Sequence, residues 1–197
     1  MTTQSLVFAT NNKHKLEEVQ QMVGPIFLLK SLHDIGCDED IPETGTTFKA
    51  NASQKSQYIF NRYHINCFAD DSGLEIDALN GEPGVYSAHY GGTRDMERNM
   101  QLVLDRMKDA SDRSARFITV ISLILDGKEQ FFKGVAEGTI IRSKTGKKGF
   151  GYDPIFQPDG YDITFAEMDM AEKNRISHRA KAINALVTFL KSLEQVS

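Results

Sequence analysis

Three acidic residues have the types and positions expected of a metal-binding group. Asp70 and Asp71 follow an apolar segment, 66–69, that predicts a buried strand, and Ser72-Gly73 indicates a turn directly after them. Adjacent strand residues point to opposite faces, so we expect one aspartate to face a ligand and the other to orient a neighbour. Glu43 lies in a Pro-Glu-Thr-Gly turn before a predicted helix. One or two carboxylates, completed by phosphate oxygens and water, usually hold Mg²⁺. A solvated acidic turn is the alternative.

Two helix starts carry cations where anions are expected. The first predicted helix opens with residues 13–15 (Lys-His-Lys), and the last opens with His178 and Arg179, shortly after Lys173. A helix N-terminus already carries about half a positive charge, so cations there cost roughly 0.3–1 kcal/mol each unless an anion neutralises them. Both helix ends are therefore candidates for holding a phosphate chain. Extension of the long side chains into water is the alternative.

A phenylalanine between two glycines is a candidate for stacking on a base. Phe150 lies in a glycine-rich loop, 146–154, where the glycines let the backbone approach a ligand closely. Packing of the ring into the core is the alternative. No Ser or Thr follows a Gly-Lys pair at the Walker spacing, which excludes a P-loop NTPase.

Composition excludes several classes of protein. The chain has 197 residues and a net charge of −4, whereas a protein that wraps nucleic acid is usually basic. Cys37 and Cys67 form no CxxC pair, so zinc and redox motifs are excluded, and reduced thiols in a cytoplasmic protein are expected. The N-terminus shows no signal-peptide pattern, and the apolar stretch 117–125 is too short to span a membrane.

Strands and helices alternate along the chain, and they must position these residues. Asn11 or Asn12 caps the first predicted helix, which Gly24-Pro25 ends, and Thr46 or Thr47 opens the second. Two further helices are predicted at 96–107 and after Ser177. The predicted strands are 6–9, 27–29, 66–69, 74–76, 116–125, 129–135 and 138–141.

Asp126-Gly127, between two alternating apolar segments, predicts a β-hairpin in the middle of the chain. Helix and strand alternation at both ends with a central hairpin predicts an α/β protein with a mixed sheet. Because no Pro/Ser-rich linker interrupts the chain, we expect residues 1–197 to form a single domain whose two lobes share one sheet.

Seven short motifs are spread over nearly the whole chain. They are Ala9-Thr10-Asn11-Asn12-Lys13-His14-Lys15, Glu43-Thr44-Gly45-Thr46-Thr47-Phe48, Asn51-Ala52, Ala69-Asp70-Asp71-Ser72-Gly73-Leu74, Pro83-Gly84-Val85-Tyr86-Ser87-Ala88, Gly149-Phe150-Gly151-Tyr152-Asp153-Pro154 and Ile176-Ser177-His178-Arg179. Each is weak alone. In this order and at these separations, together they resemble the family of inosine/xanthosine triphosphate pyrophosphatases.

The resemblance implies a Mg²⁺-dependent enzyme that splits non-standard purine nucleoside triphosphates, such as ITP, dITP and XTP, into a monophosphate and pyrophosphate. It also implies a long central sheet flanked by helices, two lobes with an active-site cleft between them, and a homodimer. Glu43 and Asp71 would bind Mg²⁺, and Asp71 would also prepare the attacking water. Asp70 would orient neighbouring residues without binding the ion itself. The residues that would bind the nucleotide are Thr10, Asn11, Asn12, Lys13, His14, Lys15 and Lys55 at the phosphates, Ser72, and Phe150, Gly151, Tyr152, Asp153, Lys173, His178 and Arg179 at the base and sugar.

Two positions depart from the family's pattern, and two other functions stay open. Ala50 stands where the family often has Glu, and His89 stands where it usually has Arg, a cation that does not titrate near neutral pH. A pyrophosphatase for pyrimidine or modified nucleotides is one alternative, against which Ser177-His178-Arg179 argues. A module that binds nucleotides without cleaving them is the other, and it would need neither Asp71 nor Glu43.

Overall fold

Strands and helices alternate in the first half of the chain, as the sequence predicts, whereas three successive strands and then two helices form the second half. The computed structural model describes residues 4–23 and 27–194. Its strands are β1 (Gln4–Phe8), β2 (Phe27–Lys30), β3 (Cys67–Ile76), β4 (Ser114–Leu125), β5 (Lys128–Ile140) and β6 (Phe156–Pro158). Its helices are α1 (Lys13–Val23), α2 (Phe48–Tyr63), α3 (Met96–Arg106), α4 (Met170–Ile176) and α5 (His178–Glu194).

The strands form one six-stranded sheet in the order β2-β1-β3-β4-β5-β6. β1 pairs in parallel with both β2 and β3, so that Val7 lies opposite Lys30 on one side and opposite Cys67 on the other. β5 pairs antiparallel with β6, with Ile140 opposite Phe156. The sheet is therefore mixed, and the predicted α/β class is confirmed.

A two-residue turn joins the long strands β4 and β5. Asp126 and Gly127 have φ angles of 49° and 78°, the left-handed values that a type I′ turn requires. Asn66 fixes the turn from the side, because its Oδ1 accepts the Asp126 N–H at 2.9 Å and its Nδ2 donates to Asp126 Oδ1 at 3.2 Å. The predicted hairpin is confirmed.

The chain divides into two compact units, and the boundaries fall inside β3, β4, β5 and α5. Unit 1 comprises residues 1–71, 119–134 and 180–197, and unit 2 comprises residues 72–118 and 135–179. Each unit has its own apolar core and is described by itself.

Unit 1 buries the apolar face of α5. Ile183, Leu186 and Leu190 recur at helical spacing and are almost completely buried with residues of β1, β3 and β4. Within the same cluster the rings of Phe8 and Phe68, which lie on neighbouring parallel strands, stack at 4.5 Å. This packing holds β3 beside β1 and so fixes the backbone on which Asp70 and Asp71 stand.

Unit 2 has a core rich in phenylalanine. Phe117 contacts Phe156 edge-on at 4.6 Å, and Phe165 lies 5.1 Å from Phe156. Met107, at the end of α3, and Leu74, on β3, are fully buried in the same cluster. The core therefore joins the strands of unit 2 to α3 and to the segment that follows β6.

Side-chain caps define where α1 and α2 begin. Asn12 Oδ1 accepts the N–H groups of His14 and Lys15 at 3.0 and 3.2 Å, so Asn12, of the two predicted candidates, caps α1. Thr47 accepts the Ala50 N–H at 3.1 Å and caps α2. In the part of the chain that the structure describes, no helix is both long enough and apolar enough to cross a membrane.

The predicted turn after Asp71 was wrong. Ser72 and Gly73 continue a single strand from Cys67 to Ile76, so both aspartates lie in mid-strand. Eight of the ten residues of β3 are buried, and burial on both faces stabilises a continuous strand even through small polar residues. The short elements α4 and β6 were not predicted, because seven and three residues show too little periodicity. Gly24-Pro25, the expected end of α1, lies outside the described residues.

We expect Leu186→Ala to lower the free energy of unfolding by about 2–5 kcal/mol, because it opens a cavity under α5. Urea unfolding followed by circular dichroism measures the change. Asn184→Ala, on the exposed side of the same helix, is the control and should leave the midpoint almost unchanged. Equal effects of the two substitutions would contradict the packing of α5 described above.

Candidate active site

Helix α2 holds the amide that binds Asp71. Asn51 donates from Nδ2 to Asp71 Oδ2 at 3.0 Å, and Asn51 Oδ1 accepts the Gly45 N–H at 2.7 Å. Lys55 lies one helical turn after Asn51 and so projects from the same face of α2. Asn51 therefore connects the loop before α2 to the aspartate on β3.

Lys55 and Gln54 hold the loop that carries Glu43 and Thr44 against α2. Lys55 Nζ forms an ion pair with Glu43 Oε1, and the two side chains are 10% and 39% exposed. Gln54 Oε1 accepts the Thr44 N–H at 2.9 Å. A Cβ on Gly45 would come within 2.7 Å of the Ala50 side chain, so glycine is needed for this close approach. The loop thus places Glu43 on the same side of unit 1 as Lys55.

Asp70 binds a different cation from its neighbour. Lys15 Nζ lies 3.0 Å from both carboxylate oxygens of Asp70, whose side chain is 2% exposed. Thr10 Oγ1 accepts the Asn12 N–H at 3.1 Å, so the segment before α1 is ordered by its own side chains. Different partners for Asp70 and Asp71 agree with the expected alternation along a strand.

Burial raises the pKa of Asp71 above its ordinary value. The residue is 7% exposed, and loss of hydration disfavours the charged carboxylate. The Lys55 ammonium, the Asn51 hydrogen bond and, more weakly, Lys15 act in the opposite direction, whereas the Glu43 carboxylate adds to the increase in pKa. A carboxylate with increased proton affinity is better suited to accept a proton near neutral pH.

Glu43 and Asp71 are better suited to bind a Mg²⁺ ion that keeps several waters than to form a metal site enclosed entirely by protein side chains. The Lys55 ammonium already contacts Glu43 and lowers the pKa of Asp71, so a positive charge is accommodated beside both carboxylates. Among the described residues, no cluster of three or more His, Cys, Asp or Glu side chains could enclose a metal ion. Two oxygen ligands suit an ion that keeps several waters and takes further oxygens from a phosphate.

Unit 2 contains a buried ion pair below the glycine-rich loop. Lys173 Nζ donates to Asp153 Oδ2 at 2.8 Å, and these side chains are 6% and 4% exposed. The Phe150 N–H donates to the same oxygen at 2.8 Å. A Cβ on Gly149 would lie 2.1 Å from it, and the φ of Gly149 is 74°, so this position requires glycine.

The Phe150 ring is bordered by cations. Lys173 Nζ and the guanidinium carbon of Arg179 each lie 5.3 Å from the ring centroid. His178 stacks on Phe117 at 4.7 Å with an interplanar angle of 12°. Phe150 itself is half-buried, so one aromatic ring and several buried nitrogen donors occur together in unit 2.

The remaining predicted residues of unit 2 support this loop. The Tyr152 hydroxyl donates to the Ser87 carbonyl at 2.8 Å, and burial raises the pKa of Tyr152. The Gly151 N–H donates to Met96 Sδ at 3.2 Å, which connects the loop to the start of α3. Ser72 is half-buried and is the first residue of unit 2.

The predicted residues fall into two groups, one in each unit.

Two residues that contact the site, Asn51 and Met96, were not predicted as participants. The spacing of Asn51 from Lys55 was a usable signal, whereas nothing in the sequence indicated the bond from Gly151 to Met96. Unit 1 contains Thr10, Asn11, Asn12, Lys13, His14, Lys15, Glu43, Lys55, Asp70 and Asp71, and unit 2 contains Ser72, Phe150, Gly151, Tyr152, Asp153, Lys173, His178 and Arg179.

The two departures from the family's pattern lie at exposed positions. Ala50 is in the first turn of α2 and faces solvent. His89 is exposed and packs edge-on against Tyr86 with ring centroids 5.8 Å apart. Neither residue is among the contacts described above for Asp71 or Phe150.

The fold and the two groups define an α/β protein with a carboxylate and lysine cluster suited to phosphates and a cation-bordered ring suited to a planar ligand. The model of the Ham1 family matches residues 6–189. The dITP/XTP pyrophosphatases of Flavobacterium psychrophilum and Porphyromonas gingivalis are 50% and 46% identical to the chain, each over 95% of it and over 99% and 97% of their own lengths. The chain belongs to the Ham1 family.

A solved structure agrees with this assignment. The Ham1 protein of Staphylococcus aureus is 40% identical to the chain and superimposes with a TM-score of 0.89, covering 96% of this chain and 99% of that one. The resemblance inferred from the seven motifs and the expected fold class are confirmed.

We expect Asp71→Asn to make the metal-free protein more stable at neutral pH. The folded wild type holds its carboxyl with a raised pKa, whereas the unfolded chain ionises at the ordinary value of about 3.9. The wild type therefore loses stability, relative to the variant, as pH rises from the ordinary value through the folded one. Urea midpoints in EDTA between pH 4 and 8 measure this, and a lower midpoint for the variant at pH 7 would contradict it.

We expect Asp153→Asn to destabilise the protein by about 3–5 kcal/mol, because it leaves the Lys173 charge buried without its carboxylate. Chemical unfolding at neutral pH provides the measurement. Lys144→Gln is the matched control, since it breaks the exposed Lys144–Glu97 pair of the same unit and should change stability little. A loss no larger than that of the control would show that the Lys173 charge is compensated in another way.

Proposed function

We propose that this protein is a Mg²⁺-dependent nucleoside triphosphate pyrophosphatase that hydrolyses ITP, dITP and XTP to the monophosphate and pyrophosphate. The observation that carries the proposal is the buried Asp71 carboxylate, bonded to Asn51 and accompanied by the Lys55–Glu43 pair. Relatives named dITP/XTP pyrophosphatase support the substrate class.

The phosphate chain is assigned to unit 1. The dipole of a helix favours anions at its N-terminus, and α1 has no acidic residue in its first turn to neutralise it. Lys15 brings a further positive charge to the start of α1, and Lys55 brings one to α2. A triphosphate would offset the accumulated positive charge of Lys13, Lys15 and Lys55 better than the carboxylates alone.

Mg²⁺ held by Glu43 and Asp71 would neutralise phosphate oxygens and acidify a bound water. Asp71 accepts the proton of the water that attacks the α-phosphorus. A bond forms between the water oxygen and that phosphorus, and the bond to the oxygen bridging the α- and β-phosphates breaks. Pyrophosphate leaves with this oxygen, and Lys15 together with the dipole of α1 stabilises its charge. Asn51 keeps Asp71 oriented through its 3.0 Å hydrogen bond.

The base and sugar are assigned to unit 2, and selectivity follows from hydrogen-bond polarity. Hypoxanthine and xanthine present a 6-oxo acceptor where adenine presents an amino donor. Lys173, His178 and Arg179 can all donate hydrogen bonds and are at most 5% exposed. Adenine would present an amino donor to these donors in place of an acceptor, which costs roughly 1–3 kcal/mol for each hydrogen bond that the complex then lacks. Several such losses together would give discrimination of about 10⁴–10⁵.

The wider role follows from the family. We propose that residues 1–197 work as one domain, in which unit 1 binds the phosphates and unit 2 the base, and that the enzyme is a cytoplasmic homodimer. Hydrolysis of deaminated purine triphosphates would remove them from the nucleotide pool before they are incorporated into nucleic acid.

Release of pyrophosphate from ITP, dITP, XTP, GTP, ATP and dTTP, each with and without Mg²⁺, tests the proposal. We expect fast, Mg²⁺-dependent release from the first three only. Asp71→Asn should lower turnover by at least about 10²-fold, the effect of removing one general base. Its unfolding midpoint, measured in parallel, shows that the variant is folded.

Release from dTTP alone would contradict the assignment of the base-binding residues. Binding of nucleotides without release from any of them would favour the non-catalytic alternative. Turnover of Asp71→Asn close to the wild-type value would remove Asp71 from its role as proton acceptor.

A further inference from the structure

A chain of hydrogen bonds crosses the interior of unit 1 from β5 to α2, away from the contacts of Asp71. Ser122 Oγ, on β4, donates to Glu129 Oε1 at 2.6 Å, and Ser56 Oγ, on α2, lies 2.6 Å from Ser122 Oγ. Glu129 Oε2 accepts from Gln57 Nε2 at 3.2 Å. Both serines are fully buried, so one carboxylate on β5 contacts two consecutive positions of α2, one of them through Ser122.

The carboxylate sets the direction of these bonds. An ionised Glu129 only accepts, and each serine hydroxyl has one proton to donate. The Ser122 proton goes to Glu129, so Ser122 can only accept from Ser56, whose single proton is shared between Ser122 Oγ at 2.6 Å and the Ser53 carbonyl at 3.1 Å. A hydrogen bond to a charged acceptor is roughly twice as strong as a neutral one, which makes the Ser122–Glu129 bond the fixed end of the chain.

The apolar contacts of α2 do not fix its position along its own axis, whereas its polar contacts do, and one of them is the bond from Cys67 Sγ to the Ser56 carbonyl at 3.3 Å. Its buried face has apolar packing from Phe48, Ala52 and Ile59, and apolar burial is not directional. Ser56 directly follows Lys55, so a displacement at Ser56 moves Lys55 as well. Asn51, one turn earlier, would move with the same rigid helix.

We propose that Glu129 is a positioning residue for the reaction, because through Ser122 and Gln57 it helps to hold α2 in the place where Asn51 meets Asp71 and Lys55 meets Glu43. This inference rests on the proposed function. Glu129 does not itself contact these four residues, and its effect passes through α2. Misplacement by about 1 Å costs up to about 10²-fold in rate, so small movements of α2 are sufficient.

Glu129→Met tests the proposal, because it keeps the length of the side chain and removes both acceptor oxygens. Glu129→Gln is the conservative variant, whose amide oxygen still accepts from Ser122 while Gln57 can turn its own oxygen towards the new amide N–H. Glu39→Met is the matched control. Glu39 also bonds α2, through Tyr58 and through Arg62 at 2.7 Å, but beyond the turns that carry Asn51 and Lys55.

Three readouts are compared. They are kcat and KM for dITP, Mg²⁺ binding to the nucleotide-free protein by calorimetry, and amide hydrogen exchange along α2. We expect Glu129→Met to lower kcat about tenfold with less than about a twofold change in KM, and to weaken Mg²⁺ binding about three- to tenfold. Exchange should accelerate at residues 48–56. Glu129→Gln should restore most of each value, and Glu39→Met should accelerate exchange only towards the end of α2.

Equal effects of Glu129→Met and Glu39→Met on kcat and Mg²⁺ binding would overturn the proposal, because both would then act only through stability. Ser122→Ala interrupts the same chain with a smaller change and should reproduce the pattern in weaker form if Glu129→Met fails to fold. If the wild type hydrolyses no triphosphate, the proposed function fails. Mg²⁺ binding and hydrogen exchange still decide whether Glu129 positions α2.

Discussion

The buried carboxylate of Asp71, whose charge is only partly compensated by its neighbours, is the constraint on which the arrangement of unit 1 depends. Asp71 lies in a strand most of whose residues are buried, and loss of hydration there outweighs the help that its carboxylate receives from Lys55 and Asn51. Each of those contacts acts in a medium of low dielectric constant, where it is stronger than in water and more sensitive to distance. α2 must therefore be placed accurately, and so must the loop that it holds. Stability is therefore given up at the residue that we propose as the proton acceptor.

In unit 2 the charge of a buried carboxylate, that of Asp153, is compensated by its neighbours. Asp153 receives both the Lys173 ammonium and the Phe150 N–H on one oxygen, so its charge is compensated within the unit. A compensated ion pair is unreactive, and its value lies in the fixed geometry that it gives to the loop around Phe150. The contrast suits a division in which Asp71 exchanges a proton and Asp153 only shapes a binding surface.

Features fixed by neighbouring residues were predictable from the sequence. The Asp126-Gly127 turn and the Asn12 and Thr47 caps each depend on a few consecutive positions. The turn expected after Asp71 was wrong, because continuity of β3 depends on burial by distant segments. The hydrogen bond between Ser56 and Ser122 joins residues 66 positions apart, and no local sequence pattern predicts it. Resemblance to the family supplied the list of site residues, whereas the partner of each became visible only in the structure.

The parallel pairing of β1 with β3 has a consequence for the order in which the protein folds. The hairpin of β4 and β5 closes over two residues, whereas pairing Val7 with Cys67 closes a loop of roughly 60 residues. Closing the longer loop costs more conformational entropy, so this pairing forms more slowly. The contact of Lys15 with Asp70 depends on that late pairing, since it spans 55 positions. We expect the nascent chain to acquire its hairpin early and the contact of Lys15 with Asp70 last. A partly folded molecule would then be compact in its central strands while it still lacks the group that we propose for phosphate binding.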